Sequence, residues 1–356
     1  MNTSKFNINR NNVWEGAVRG VRRSSFCPNN NISVKFSDDS GKIEEAVDLG
    51  GPRREFFRLL MSYISKSSLF EGSDSSKNLS LDSRGIRENC YFDTGRFISI
   101  SLVHGGPSGF FSEMLFKSIA YGPETIQPSL DDVCDFEIAS KIKKFADCST
   151  IEELKTLINE NLDFLTNAGC LRTVKVLNDK NWLVKDLLMF NVIHRVRGPF
   201  ESLLKGLETL GILQQIKLHP NLFLPLFCHK PLPLTADVID NLFQIRFSQK
   251  GSNAFLVEQR IVSYWRDFLQ DVEERQTSAT LGGILVFATG ADCVPPLGFE
   301  PAPSIEFLHS ATNEECLLPL ANTCINCLKL PIHSTFCNFK SNMDFAIINT
   351  QGFGRQ

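Results

Sequence analysis

A short polar segment, SQKGSN at residues 248–253, separates two parts of this chain that differ in character. Before it, apolar residues recur mostly at helical spacing, which predicts a larger, mainly helical part that extends to about residue 247. After it, one further helical pattern leads into roughly 100 residues punctuated by proline and glycine, a normal size for a domain. Because small polar residues around a glycine are typical of linkers, we predict a hinge at this segment.

Local patterns predict several elements within the larger part. Residues 1–30 begin with a polar stretch and are predicted to be poorly ordered, apart from a short helix around Trp14. Apolar residues alternate with polar ones in NISVKFSD at 31–38, which predicts a strand. The mostly apolar segment YFDTGRFISISLVHGG at 91–106 predicts a buried helix that ends at its glycines. The polar stretch 128–180 is predicted to be helical throughout.

The composition argues against several classes of protein. The chain carries 37 basic and 40 acidic side chains, a net charge of −3, and this balance predicts no nucleic-acid partner. No apolar run approaches the roughly 18 residues of a membrane span, and the polar start does not resemble a signal peptide. We therefore expect no membrane partner and an intracellular protein, cytoplasmic, nuclear or both. A basic cluster is expected to be a solvated face: Arg10, Arg19, Arg22 and Arg23.

The chain contains eleven cysteines, an odd number, and an intracellular setting keeps thiols reduced. Free cysteine is among the most frequently buried residue types. Five cysteines scattered singly among apolar residues are therefore predicted to be small core residues: Cys90, Cys134, Cys148, Cys170 and Cys228.

The segment LPLANTCINCLKLP at residues 318–331 places Cys324 and Cys327 three positions apart. With His333 and Cys337 they form a C-x2-C-x5-H-x3-C spacing, close to that of a zinc knuckle. The residues between these ligands are apolar, and Cys337 falls at the start of an amphipathic helical pattern. We therefore predict no metal here, although stoichiometric zinc would revive this interpretation.

Three other interpretations of the pair remain. A redox couple would open a helix, and Pro331 argues against a long helix from Cys324. Both thiols could also be core residues. In the last interpretation Cys324 is a nucleophile in a loop, with hydrogen-bond donors available from Asn322, Thr323 and the backbone.

A wider signal favours the nucleophile. Six landmarks follow one another along the chain: Asp48, Gly50, Gly51, Arg54 and Glu55 in VDLGGPRRE; Gly95 and Arg96 after an aromatic; the helix YWRDFLQDVEE; Phe287, Thr289 and Gly290 followed by proline and Gly298-Phe299; the LPLANTCINCLKLP segment; and Phe353, fourth from the end. In this order they resemble the HECT family of ubiquitin ligases. Within that family the chain looks most similar to fish proteins that resemble a cell-cycle-phase-specific HECT ligase.

The resemblance implies an α+β fold with two lobes. A larger, mainly helical N-terminal lobe would span residues 31–247, and a flexible hinge would occupy 248–253. A smaller α/β lobe at 254–356 would carry the catalytic cysteine. The stretch at about 128–180 would be a shortened subdomain that docks a ubiquitin-conjugating enzyme.

The resemblance also implies a mechanism. Cys324 would accept ubiquitin as a thioester from a charged conjugating enzyme and pass it to a lysine of a protein substrate, without a cofactor. Asn322 and Thr323 would position the thiol and support the oxyanion, and Phe353 would orient the C-terminal tail. Cys327 would be a bystander. The paired residues Gly50-Gly51 and Arg54-Glu55 are predicted to be structural, as a turn and an ion pair.

The chain departs from the family pattern in three places. The family usually has histidine before the Thr-Cys pair, where this chain has Asn322, and the ending Arg355-Gln356 has no acidic side chain. No general base is apparent, since His309 and His333 are expected to be structural. The docking subdomain is short. A second hypothesis is therefore a catalytically weak or inactive HECT-like scaffold that binds ubiquitin or partner proteins.

Overall fold

The structure is a computed structural model, and it describes residues 2–37, 50–104, 106, 109–228, 233–295, 298–309 and 318–349. Its contacts divide the chain into two compact units. The first unit comprises Met1–Tyr63, Ser101–Pro107 and Pro231–Gln356, and the second comprises Ile64–Ile100 and Ser108–Lys230.

Helices and strands are numbered here in chain order. The strands are β1 (Thr3–Asn9), β2 (Asn31–Ser37), β3 (Phe70–Ser73), β4 (Ser76–Leu79), β5 (Gln244–Ile245), β6 (Ser304–Leu308), β7 (Leu320–Asn322) and β8 (Cys327–Pro331). The α-helices are α1 (Val13–Val21), α2 (Gly51–Lys66), α3 (Ser83–Arg87), α4 (Cys90–Val103), α5 (Glu113–Tyr121), α6 (Phe136–Asp147), α7 (Ile151–Glu160), α8 (Leu162–Asn167), α9 (Asp179–Val192), α10 (Arg197–Leu207), α11 (Ile212–Leu218), α12 (Pro220–Phe227), α13 (Ala236–Leu242), α14 (Asn253–Glu273), α15 (Leu281–Thr289) and α16 (Phe336–Asn349). This mixture of helix and sheet is the α+β composition that the family resemblance implies.

The N-terminal residues are ordered, contrary to the prediction for 1–30. Strand β1 pairs in parallel with β2 over its whole length, and helix α1 follows it. The physical reason is a period-two pattern within TSKFNIN, in which polar residues alternate with buried Phe6 and Ile8. Gly20 of α1 lies against this face, since a Cβ atom there would come within 2.4 Å of the Phe6 ring.

The C-terminal part of the first unit is a four-stranded sheet packed with helices. The strand order is β5-β6-β8-β7, with β5, β6 and β8 parallel and β7 antiparallel to β8. Helices α13 to α16 bury their apolar faces in one core with this sheet. Fully or almost fully buried members of that core include Ile261, Trp265, Phe268, Leu269, Ile284, Leu285, Leu328, Phe339 and Met343. The short β7–β8 connection is therefore anchored on a packed base.

The second unit is mainly helical. The predicted helix at 91–106 is confirmed as α4. The stretch 128–180, which is described completely, contains α6, α7, α8 and the start of α9 and no strand, but it is not helical throughout, since residues 170–175 are irregular. A separate core of α6 to α9 includes Ile142, Phe145, Leu154, Leu165, Leu183 and Leu187. Helices α4 and α10 cross closely, because a Cβ atom on Gly95 would lie 2.3 Å from the Leu203 carbonyl oxygen.

The predictions for the cysteines are partly wrong. Cys148 and Cys170 are buried, Cys90 and Cys228 are half-buried, and Cys134 is exposed on the loop before α6. Apolar neighbours in the sequence do not determine whether a side chain in a loop points into the core or into solvent. No disulfide joins any two of the ten cysteines within the described residues. Among the helices in the described ranges, none has the length and apolar character needed to cross a membrane.

Candidate functional site

Cys324 lies in a tight turn between β7 and β8, which we call the cysteine turn (residues 323–326). The antiparallel pair Asn322 and Cys327 closes the hairpin below it. Cys324 is half-buried, and its backbone N–H donates to the Asn322 side-chain oxygen at 3.1 Å. This local bond is a typical asparagine turn contact, so Asn322 holds the backbone next to the thiol.

Thr323, which precedes Cys324, is buried against the first residue of α2. A Cβ atom added to Gly51 would lie 2.1 Å from the Thr323 hydroxyl oxygen, so only glycine fits at that position. Gly50 beside it has a φ of +131°, a backbone conformation that residues other than glycine rarely adopt. Gly50 thus lies at a bend, whereas Gly51 is already the first residue of α2 and lets the start of the helix approach the cysteine turn.

Arg54, one turn into α2, donates to the cysteine turn from its buried guanidinium. Its Nε donates to the Thr289 carbonyl at 2.9 Å, and its Nη2 donates to the Asn326 side-chain oxygen at 2.7 Å. The same Nη2 also donates to the Thr323 carbonyl. All three acceptors belong to the C-terminal part of the first unit. They lie on both sides of Cys324 in sequence and at the end of α15.

The predicted ion pair between Arg54 and Glu55 is wrong. Glu55 instead accepts from Arg10, with Nε–Oε1 at 2.9 Å and Nη2–Oε2 at 3.0 Å. Successive residues on a helix point about 100° apart and do not face each other. Arg10 also covers the Phe36 ring at 4.1 Å, so it is not part of a merely solvated basic face.

Asn326 closes the cysteine turn, and the sequence analysis missed it. It is fully buried, and its φ of +53° lies in the left-handed region that asparagine tolerates better than most residues. Its side-chain amide nitrogen donates to the Pro301 carbonyl at 2.7 Å, and its backbone carbonyl accepts from the Ser304 N–H at 2.9 Å. An asparagine at the end of a short apolar-flanked turn is the signal that could have identified it.

The remaining members of the cysteine and histidine pattern have separate environments. Cys327 is fully buried on β8, and burial raises the pKa of its thiol. Cys337 is exposed on α16, and His333 is buried with its ring edge-on to Phe339 at 6.2 Å. In the described part of the chain no three His, Cys, Asp or Glu residues are grouped so that they could hold a metal ion. The zinc interpretation therefore gains no support from these residues.

His309 contacts a buried carboxylate rather than the cysteine turn. Its Nε2 lies 2.6 Å from Oε1 of Glu258, which also accepts from the Ser248 N–H and hydroxyl. Ser248 begins the predicted hinge, whose flexibility stays a prediction. Two predicted landmarks, Asp48 and Phe353, lie outside the described residues.

The site is thus a half-buried cysteine on a hairpin turn, which a buried arginine from a Gly-Gly-x-x-Arg-Glu helix start contacts. Residues 52–356 match the HECT-domain (ubiquitin-transferase) family, and the chain belongs to that family.

The chain is also similar to individual curated proteins. It is 43% identical over 349 residues to the G2/M phase-specific E3 ubiquitin-protein ligase of Gallus gallus, covering 98% of this chain and 45% of that protein. The protein of the same name from Homo sapiens is also 43% identical, with 98% and 47% covered. E3 ubiquitin-protein ligase NEDD4 of Rattus norvegicus is 25% identical over 380 residues, with 99% and 40% covered. The chain thus spans less than half the length of these relatives.

Proposed function

We propose that this chain is a ubiquitin-protein ligase module that carries ubiquitin as a thioester on Cys324. Its family and the names of its relatives support the activity. One structural observation supports the residue: of the two cysteines in the predicted catalytic segment, only Cys324 reaches the surface, whereas Cys327 is fully buried. A nucleophile must meet a protein-bound thioester, and a thiol within the β8 core cannot do so.

The proposed chemistry has two steps. In the first, the Cys324 thiolate attacks the ubiquitin carbonyl carbon on the conjugating enzyme, whose own cysteine thiolate leaves. This step exchanges one thioester for another, so orientation and carbonyl polarisation matter more than a strong base. In the second, a neutral substrate lysine attacks the new thioester, an amide bond forms, the Cys324 thiolate leaves and the amine loses a proton to solvent or a base.

The neighbours of Cys324 support positioning roles. Asn322 is proposed to orient the turn, because its side-chain oxygen accepts a hydrogen bond from the Cys324 N–H. Its side-chain nitrogen is a hydrogen-bond donor, which suits the proposed support of the oxyanion. Thr323 is proposed to fix the turn against α2. Phe353 is proposed to orient the C-terminal tail, on the family resemblance alone.

The proposed partners are ubiquitin, a charged ubiquitin-conjugating enzyme and a protein substrate of unspecified identity. The conjugating enzyme is proposed to dock on the helical stretch 128–180, again by resemblance. A cytoplasmic or nuclear location is also proposed.

The test is an adduct assay with activating enzyme, ubiquitin, ATP and a panel of conjugating enzymes, followed by a non-reducing gel. We expect a ubiquitin adduct that thiol reductant removes and that Cys324→Ala abolishes. Cys327→Ala tests the buried neighbour, and Cys337→Ala is the matched control for an exposed thiol; both are expected to keep the adduct. An adduct that survives Cys324→Ala would overturn the proposal.

The second candidate, a HECT-like scaffold, is favoured by one observation. The segment 320–326, LANTCIN, has no titratable side chain except Cys324, so removal of the lysine proton depends on a group elsewhere. Folded protein that binds ubiquitin but forms no adduct with any conjugating enzyme of the panel would favour the scaffold.

A further inference from the structure

One guanidinium contacts the backbone or side chain of two residues that bracket Cys324. Arg54 donates to the carbonyl of Thr323, one residue before the cysteine, and to the side chain of Asn326, two residues after it. Arg54, Thr323 and Asn326 have relative exposures of 8%, 7% and 0%. Hydrogen bonds from a charged donor are stronger than neutral ones, and dry surroundings strengthen them further.

The cysteine turn, which Arg54 contacts, has a backbone conformation that carries a free-energy cost. Asn326 has a positive φ of +53°, a region that costs most residues about 1 kcal/mol or more. Its amide group is divided between two elements, since the oxygen accepts from Arg54 and the nitrogen donates to the Pro301 carbonyl. Without Arg54, the Thr323 carbonyl and the Asn326 oxygen would lose a buried donor, which favours rearrangement of the turn.

The position of the thiol follows the conformation of this turn. Cys324 is the second of its four residues, so a changed backbone angle at Thr323 or Asn326 displaces the sulfur atom. A displacement of about 1 Å from the attack geometry can lower a rate by about 100-fold.

We propose that Arg54 is a positioning residue for the reaction at Cys324, acting through Thr323 and Asn326. This inference rests on the proposed function. It assigns to the Arg of the Gly-Gly-x-x-Arg-Glu segment a task at the thiol, in addition to its place in α2. Because the guanidinium is buried and acts through the turn, its removal is expected to lower the transfer rate and to leave docking unchanged.

The kinetic test is single-turnover formation of the Cys324 adduct over a range of concentrations of charged conjugating enzyme. Arg54→Gln is expected to lower the maximal rate at least 10-fold while the half-saturating concentration stays within two-fold. Arg54→Lys keeps the charge but not the two-sided contact, and it is expected to recover only part of the rate. A maximal rate within two-fold of the parent would overturn the proposal.

Asn326→Gly is the second variant, because glycine suits the left-handed backbone and removes only the side chain, with its bonds to Arg54 and to the Pro301 carbonyl. It is expected to fold and to slow transfer in the same way. Combined with Arg54→Gln, it is expected to slow transfer by less than the product of the two single effects, because both changes remove the Arg54–Asn326 contact. Full additivity would show that the residues act separately and would contradict the proposal.

The matched control is Arg10→Gln, which removes the partner of Glu55, the residue next to Arg54 on α2. It is expected to lower stability without slowing transfer at saturation. An equal loss of rate in Arg10→Gln at equal loss of stability would show that Arg54 is merely structural.

A readout that needs no enzymatic activity separates this inference from the proposed function. Hydrogen exchange of the peptide 318–331, followed by mass spectrometry, is expected to be at least 10-fold faster in Arg54→Gln than in Arg10→Gln. Absence of a wild-type adduct would defeat the proposed function, whereas unchanged exchange in Arg54→Gln would defeat the positioning role.

Discussion

Arg10 and Glu55 form a two-point ion pair, with Nε–Oε1 at 2.9 Å and Nη2–Oε2 at 3.0 Å. The pair joins the residue after β1 to helix α2, across 45 positions of sequence. Adjacent residues of α2 therefore serve different partners: Glu55 contacts the N-terminal strand region, and Arg54 contacts the cysteine turn.

The first prediction concerns the strength of that pair. The Arg10 side chain is 24% exposed, the Glu55 side chain is 11% exposed, and the pair is bidentate. We therefore expect a coupling energy of about 1–2 kcal/mol, above that of most exposed ion pairs. A double-mutant cycle with Arg10→Met and Glu55→Gln, measured by urea unfolding, gives this value. A coupling below about 0.3 kcal/mol would mean that solvent screens the pair.

The second prediction concerns Gly51. A Cβ atom there would lie 2.1 Å from the Thr323 hydroxyl oxygen and 2.8 Å from its Cβ, so Gly51→Ala must displace the cysteine turn or α2. We expect a loss of about 1–3 kcal/mol in the free energy of unfolding, and slower adduct formation.

Gly198→Ala is the matched control for Gly51→Ala. Gly198 lies in the first turn of α10, and an added Cβ atom there would meet nothing within 4 Å apart from the nearby residues of its own chain segment. Alanine is expected to change stability by less than about 1 kcal/mol, because its higher helix propensity is offset by the restriction that Pro199 places on the residue before it. If the two variants were equally stable, the close approach at Gly51 would be in doubt.

The third prediction concerns acid stability and Glu258, which is 1% exposed. Burial alone would raise the pKa of this carboxyl, but hydrogen bonds from Ser248 and His309 outweigh it and hold the pKa below its ordinary value of 4.5. The unfolded chain therefore takes up a proton first as the pH falls. Stability from this group is complete above the unfolded value and is lost as the pH falls through the folded one.

Chemical denaturation at a series of pH values tests this prediction. Glu258→Gln is expected to be less stable by about 2 kcal/mol near neutrality, because charged hydrogen bonds are lost, and to lose less on acidification. A variant whose acid-induced loss equals that of the parent would show that other carboxylates dominate.

The fourth prediction concerns His104, whose ring stacks on Phe57 with centroids 6.1 Å apart. Burial, with a smaller contribution from Arg53, lowers its pKa from 6.5 to about 4. Within the described residues, its buried Nε2 has no hydrogen-bond partner. Because the unfolded chain binds the proton at higher pH, stability is complete above 6.5 and falls as the pH drops from 6.5 towards 4.

His104→Phe keeps the stacked ring and removes the titration. We expect the variant to be at least as stable near neutrality, since no buried donor or acceptor is left without a partner. Its stability should be flatter than that of the parent between 6.5 and 4. If the stability of the parent protein did not change with pH over this range, water would be shown to reach the imidazole. The window lies mostly above that of Glu258, so the two effects are separable.

Patterns that repeat within one element were readable from the sequence. The alternation in NISVKFSD predicts β2, and the apolar segment 91–106 predicts α4, because neighbouring residues within an element report its period. The N-terminal strand has the same period in TSKFNIN, but only Phe6 and Ile8 are large apolar residues there, so the signal is weaker than in β2, with which it pairs in parallel.

Some features of the candidate site were also readable from the sequence, and others were not. The sequence by itself determined the family and the cysteine segment, since order and spacing along the chain carry that information. The tertiary structure alone decided which thiol reaches the surface, why Gly51 must be glycine and where Arg54 points. Arg54 and Asn326 are 272 positions apart, and only packing can bring them together. A buried guanidinium takes whichever carbonyls and amide oxygens the folded chain brings within 3 Å or so, and these acceptors have no signature in the residues beside it.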